Sequence, residues 1–190
     1  MMNARIAIAM ERLERFMPTV NDANPIPREA GQFVHALILA TGAKRAVEIG
    51  TSYGYSGLWI ASALAQNDGR LITIDHDPRK TDAAGAAFES AGLTPYVERK
   101  TAEAVDVLPT LEGPFDFVLN DADKPNCIGY VELLTDKLSD RAVVLTDNTT
   151  THPQQLADFV AWMRRHAGFC SVSVLVGNGM ELSVRRLDEC

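Results

Sequence analysis

Hydrophobic positions along the chain fall into short, nearly continuous runs separated by amphipathic stretches. The runs at Ala46–Gly50, Leu71–Asp75, Tyr96–Arg99, Phe115–Asn120 and Arg141–Thr146 predict strands. The early ones are apolar throughout, as expected of a parallel sheet covered on both faces. Between and after them, helical spacing predicts helices at about Tyr53–Gln66, Pro78–Ala91, Thr101–Leu111, Ile128–Leu138 and Pro153–His166. Upstream, a helix over about Asn3–Phe16 is broken by Pro18 and the Asn21–Pro27 stretch. A second runs over Arg28–Thr41, with Gly42 as its stop. Two last strands, Ser171–Val176 and Met180–Arg186, are joined by Gly177-Asn178-Gly179, a hairpin signal. The alternation predicts an α/β fold: a doubly wound, mostly parallel sheet of seven strands, an antiparallel C-terminal hairpin at its edge, and helices on both faces. No internal repeat or low-complexity segment interrupts it.

Length and composition narrow the classes. A chain of 190 residues is expected to form one domain, 1–190, in which residues 1–24 supply an N-terminal helix and a connecting segment. Hydrophobic residues make up 46% and charged residues 23%, the balance of an ordinary globular protein. No apolar run has transmembrane length. The N-terminus continues into Glu11-Arg12-Leu13-Glu14-Arg15, an amphipathic charged helix and not a signal peptide. The formal charge of −7 disfavours non-specific binding to nucleic acid or to an anionic membrane. Cys127, Cys170 and Cys190 are odd in number, widely spaced and free of any CxxC pairing. They read as free thiols in a reducing compartment, and the expected location is cytoplasmic.

The candidate chemistry sits where strands end. Val47-Glu48-Ile49-Gly50-Thr51-Ser52-Tyr53-Gly54-Tyr55-Ser56-Gly57 reads as a strand, a glycine turn and the start of a helix. Asp75 ends the next strand, at about the interval from Gly50 expected of a carboxylate that binds ribose hydroxyls. Gly50, Gly54 and Gly57 make G-x-x-x-G-x-x-G, whereas a dinucleotide fingerprint would need glycine where Ser52 stands. Glu48 is a carboxylate inside an apolar strand and needs a partner. A sulfonium nucleoside supplies one better than a diphosphate does; the competing reading is a strand-to-helix turn with no ligand.

Asn120-Asp121-Ala122-Asp123-Lys124 and Thr146-Asp147-Asn148 each follow a strand directly. Asp121, Asp147 and Asn148 would bring three hard oxygen ligands from neighbouring loops, a set suited to Mg²⁺ that keeps water or substrate oxygens in its other positions. Each motif alone is equally ordinary turn chemistry. Lys124 is the candidate base or charge stabiliser, or else an exposed lysine at a helix start. Tyr96-Val97-Glu98-Arg99-Lys100 matches the Y-x-x-x-K of short-chain dehydrogenases by chance, because Pro95 precedes it and the pattern reads as a strand. The four histidines lack metal-ligand spacing. His35 reads as structural, His76 as a neighbour of the cofactor base, and His152 as lining the substrate mouth or entering a helix.

Taken together, Val47–Ser56, Ile74-Asp75-His76-Asp77-Pro78, Gly113-Pro114-Phe115-Asp116-Phe117-Val118, Asp121-Ala122-Asp123-Lys124 and Asp147-Asn148 resemble the cation-dependent O-methyltransferases of the catechol and caffeoyl-CoA type, among them many small bacterial members. The resemblance runs from about Pro25 to Arg186. Its glycine loop is generic to class I methyltransferases, and the D-A-D-K plus D-N combination is more specific. It implies a Rossmann-like sheet, S-adenosylmethionine as methyl donor, a divalent cation, and a small hydroxyl acceptor, an aromatic vicinal diol. It further implies that Glu48, Gly50, Thr51 and Ser56 line the methionine and ribose side, that Asp75 binds the ribose, that Ala102 lies near the adenine, and that Ile26 covers the cofactor. Asp121, Asp147 and Asn148 match the metal ligands and Lys124 the general base.

The chain departs from that pattern at Asn120, where an apolar residue is usual, and at Cys127, where Tyr is common. It departs again at Thr149-Thr150-Thr151-His152-Pro153, in the region that helps form the acceptor pocket. Its shortness implies an open pocket or one completed in a homodimer. The rival readings are a nicotinamide-dependent oxidoreductase and a non-catalytic S-adenosylmethionine-binding subunit. A nucleic-acid methylase is disfavoured by the net charge and by the lack of a D/N-P-P-Y/F motif.

Overall fold

A computed structural model of the chain describes residues 3–186. Seven strands, β1 (Arg45–Ile49), β2 (Arg70–Asp75), β3 (Val97–Thr101), β4 (Phe115–Asn120), β5 (Leu138–Asp147), β6 (Phe169–Val174) and β7 (Met180–Arg185), form one sheet in the order β3-β2-β1-β4-β5-β7-β6. The first five run parallel, and β7 is antiparallel to both β5 and β6. The expected architecture is therefore present.

Burial on two faces explains the unbroken apolar strands. Along β4, Phe117 and Leu119 join a core with helices α1 (Ala4–Phe16), α2 (Arg28–Thr41), α3 (Tyr55–Leu64) and α4 (Pro78–Ala91). Phe115 and Val118 point the other way, towards α5 (Ala104–Val107), α6 (Cys127–Thr135) and α7 (Pro153–Arg165). Each fully buried Leu, Ile or Phe contributes about 1.5–3 kcal/mol, so both faces carry stabilising weight. α4 begins where Asp77 caps the Arg79 N–H and Pro78 takes the first helical position. None of the helices among the described residues is long and apolar enough to cross a membrane.

Several boundaries depart from expectation. The helix expected over Thr101–Leu111 shrinks to α5 plus a 3₁₀ turn at Leu108–Thr110. Thr101 instead ends β3, and Pro109 cannot continue an α-helix. The helix expected over Ile128–Leu138 stops at Thr135, because β5 already begins at Leu138. β5 carries a register shift against β4 between Phe115 and Phe117, with Arg141 at φ +61°. Last, β6 lies two residues earlier than expected and leaves a loop over 175–179. Cys127 is buried and Cys170 exposed, both free; Cys190 lies outside the described residues.

β2 and β4 flank β1, and the chain leaves them towards opposite faces. The crevice beyond the strand ends at that switch is where ligands bind in open α/β sheets.

Candidate active site

A cleft of about 230 Å³ opens at this switch. Its floor is the turn after β1. Gly50 takes φ +103°, and a Cβ there would stand 2.5 Å from the Asp121 carbonyl oxygen. The Gly50 and Thr51 N–H groups donate to the Ile74 carbonyl, and the Asp121 N–H donates to that of Ile49. The turn is thus pinned between β2 and β4, with room only for glycine. Asp75 ends β2 with its carboxylate 11% exposed at the cleft. One oxygen accepts the Ser52 N–H at 2.7 Å and the other the Asp77 N–H at 3.0 Å. The backbone aims the carboxylate and leaves it further lone pairs.

Behind the floor lies Glu48, fully buried under the start of α3. Its Oε2 accepts the Thr73 hydroxyl at 2.6 Å, and Thr73 meets the Thr51 hydroxyl at 2.5 Å. Oε1 has no partner. Burial pushes the carboxyl up to about 7; the Ser56 and Thr73 hydroxyls oppose the shift, and the charges of Asp121 and Asp75 add to it. The sheet therefore holds an acid whose ionised form lacks a countercharge.

A second acidic group spans β4 and β5. Burial raises Asp121 to about 7, against the nearby Lys124 and with a further push from Asp147. Lys124 Nζ stands 3.1 Å from Asp121 Oδ1, and both side chains are nearly buried. Asp147 ends β5 at 1% exposure; burial raises its pKa as well. Its Oδ1 has no partner, while Oδ2 accepts from Asn178 Nδ2 at 3.4 Å. Asn148 follows at φ +75°. Asp123 accepts from Tyr130 and Asn126, each at 2.5 Å, and so steadies the loop that carries Lys124. Asn120 Nδ2 donates to the Cys127 carbonyl and ties the end of β4 to α6. No group of three or more His, Cys, Asp and Glu able to hold a metal occurs among the described residues. The candidate set is two carboxylates and one amide.

Residues 5–167 match the sequence profile of a family described as O-methyltransferase. This chain belongs to the O-methyltransferase family. A catechol O-methyltransferase of Niastella koreensis is 35% identical over 150 residues, covering 77% of this chain and 66% of its own. A catechol O-methyltransferase of Mycobacterium tuberculosis is 37% identical over 134 residues, covering 67% and 60%. The chain thus spans somewhat less than two thirds of the length of these curated relatives. Among solved structures, the O-methyltransferase TomG from Streptomyces achromogenes, in complex with SAM, superposes with a TM-score of 0.83 at 29% identity, covering 97% of this chain and 91% of that one.

Within this O-methyltransferase fold, Ile26, Gly50, Thr51, Ser56, Asp75, His76, Ala102 and Asp121 all line the cleft. Glu48 lies behind its floor, Lys124 rests on Asp121, and Asp147 and Asn148 stand one strand further along the sheet. His35 bonds the Trp59 carbonyl and the Ser62 hydroxyl, a packing role. His152 precedes α7 and contacts Thr151.

Sequence reasoning expected Ile26 over the cofactor but missed the rest of the strap that carries it across the cleft. Asp22 and Asn24 line it beside Ile26, as do Tyr53, Lys80 and Tyr130. The Tyr53 hydroxyl donates to Asp22 at 2.8 Å, and Lys80 Nζ to the Asp22 carbonyl at 2.8 Å. Asn21–Pro27 reads locally as a helix breaker, and nothing in it signals long-range contacts with residues 53 and 80.

Proposed function

We propose that the chain is an S-adenosylmethionine-dependent O-methyltransferase that methylates one hydroxyl of a small aromatic vicinal diol, assisted by a divalent cation such as Mg²⁺. The observation that carries this reading is the double membership of Asp121. It lines the nucleoside-sized cleft beside Gly50, and it is also electrostatically joined to the second acid, Asp147. A methyl donor and a chelated acceptor would meet there.

The residues present suit both groups. S-adenosylmethionine carries a sulfonium and an ammonium, and the uncompensated Glu48 and the raised Asp121 favour cations nearby. Asp75, aimed by two backbone donors, is placed to accept the ribose hydroxyls. For the cation, the orphaned Asp147 Oδ1 and the two buried carboxyls, that of Asp121 raised further by the charge of Asp147, are what a hard dication would relieve. Asp121, Asp147 and Asn148 would hold it. When bound, such an ion lowers the pKa of an acceptor hydroxyl.

The chain's own groups do the rest. Asp75 and the Gly50 turn fix the donor, and the strap carrying Ile26 excludes water. Lys124, in its neutral amine form, would take the acceptor's hydroxyl proton on Nζ, 3.1 Å from Asp121 Oδ1. The acceptor oxygen then forms a bond to the methyl carbon as the carbon–sulfur bond breaks, its electron pair going to sulfur to leave S-adenosylhomocysteine. Most of the acceleration comes from positioning and electrostatics.

Calorimetric titration with S-adenosylhomocysteine, with NADH for comparison, tests the cofactor. Micromolar binding of the former alone is expected; preference for NADH would sink the reading. Turnover of catechol with Mg²⁺ tests the chemistry. Asp147→Ala should abolish metal-dependent turnover with cofactor affinity nearly unchanged. Turnover that survives both this change and chelators would remove the cation from the mechanism.

A further inference from the structure

The turn of the C-terminal hairpin is built against the loop that follows β5. The Asn178 carbonyl accepts two hydrogen bonds from Thr150, from its N–H at 2.9 Å and its hydroxyl at 2.5 Å. The Thr149 N–H donates to the Gly179 carbonyl at 3.0 Å. Gly179 takes φ +76°, and a Cβ there would stand 2.5 Å from Thr150 Cγ2. On the other flank, a Cβ on Gly177 would meet Ala30 Cβ, near the start of α2, at 2.8 Å. The turn is therefore fixed from two sides, and from it Asn178 Nδ2 reaches Asp147 Oδ2 at 3.4 Å. The second carboxylate oxygen, Oδ1, is buried and has no partner.

We propose that Asn178 is a positioning residue: it holds the Asp147 carboxylate by one oxygen so that the other stays turned towards a divalent cation. The inference rests on the cation reading given above. An amide suits the task because it donates without charge. A lysine or arginine at this position would hold the carboxylate more tightly and compete with the dication for it. The long contact restrains the carboxylate without neutralising it. The inference also gives the Thr150 hydroxyl, which bonds the Asn178 carbonyl, a role in anchoring this turn.

The test is a Mn²⁺ titration followed by the electron paramagnetic resonance of free Mn²⁺, on the full chain. Wild type, Asp147→Ala, Asn178→Ala and Asn178→Ser would each be checked by calorimetry with S-adenosylhomocysteine. Serine keeps a polar turn but is too short to reach Asp147. The expected result is that both Asn178 variants weaken Mn²⁺ binding about tenfold, as loss of an outer partner of a ligand does. Their S-adenosylhomocysteine affinity should stay unchanged, and excess Mn²⁺ should restore their turnover. If Asn178→Ala perturbs the fold, seen as lost S-adenosylhomocysteine binding, Asn178→Ser decides. Wild-type Mn²⁺ affinity in a folded Asn178 variant overturns the inference. A wild-type protein that binds no Mn²⁺ overturns the cation reading itself, which is a distinguishable failure.

Discussion

Replacing Glu48 with glutamine should stabilise the ligand-free protein, and by an amount that depends on pH. Glu48 is fully buried, and its carboxyl is pushed from 4.5 up to about 7, chiefly by burial. A folded-state pKa above the unfolded one means that the native state binds the proton more tightly. The stability gained from that proton is complete below pH 4.5, is lost as pH rises to about 7, and changes no further above it. At about 1.4 kcal/mol per pH unit, the interval corresponds to about 3 kcal/mol. Glutamine mimics the neutral acid and removes this dependence. The raised Asp121 titrates in both proteins, so it largely cancels from the difference.

Urea unfolding at pH 5, 6, 7 and 8 reads the effect directly. The stability of Glu48→Gln minus that of wild type should grow across this range towards about 3 kcal/mol. A difference that stays flat within about 0.5 kcal/mol, or a variant less stable than wild type at pH 8, would refute the reasoning. The ligand side has its own signature. S-adenosylmethionine carries the sulfonium charge and S-adenosylhomocysteine does not. The variant should therefore lose more affinity for the former, and equal losses would remove Glu48 as a countercharge.

Two further expectations concern the cleft. Asp75→Asn exchanges a carboxylate for a group whose amide nitrogen cannot accept the Ser52 or Asp77 N–H. It should weaken S-adenosylhomocysteine binding by about 2 kcal/mol, roughly thirtyfold, by calorimetry; unaltered affinity would deny Asp75 a place at the ribose. Gly50→Ala forces a side chain into φ +103° and to 2.5 Å from the Asp121 carbonyl. The midpoint of urea unfolding should fall by the equivalent of about 3 kcal/mol, and a shift under about 1 kcal/mol would mean that the turn yields easily.

Much of the fold was legible because the sheet is covered on both faces. Val47, Val118 and Val144 face one set of helices while Ala46, Leu119 and Leu145 face the other, so the strands read as continuous apolar runs. The pattern failed where polar residues lie inside a strand or prolines divide a helix. Ser139 and Asp140, just before the strand expected from Arg141, look like a loop, yet they belong to β5. There the Ser139 hydroxyl donates to Asp116 Oδ1, while Asp116 Oδ2 takes the Lys44 and Arg45 N–H groups. In the last hairpin, Gly177-Asn178-Gly179 marked the turn correctly. The strand before it nevertheless ends at Val174, because the Val176 N–H bonds the Val174 carbonyl and Leu175 projects outward at 86% exposure. A two-residue error in one strand end follows from a turn wider than its glycines.

The site divides along the same physical line. Residues that follow a strand were legible, because the strand end fixes where the next residue points: Gly50 after β1, Asp75 at the end of β2, Asp121 after β4. All three line one cleft. Residues whose place depends on the approach of distant segments carried no local mark. Asp22 is held by Tyr53 and Lys80, 31 and 58 positions away, and Asn178 reaches Asp147 across 31. Asp147 shows why this matters for function. Its position at the end of an apolar strand identifies a buried acid, but only the hairpin determines which of its two oxygens is held and which is left open. If the Asn178 variants bind Mn²⁺ as wild type does, the strand end alone would account for the ligand geometry. If they bind it less tightly, part of the candidate metal site is supplied by a turn that the spacing of Asp121 and Asp147 could not disclose.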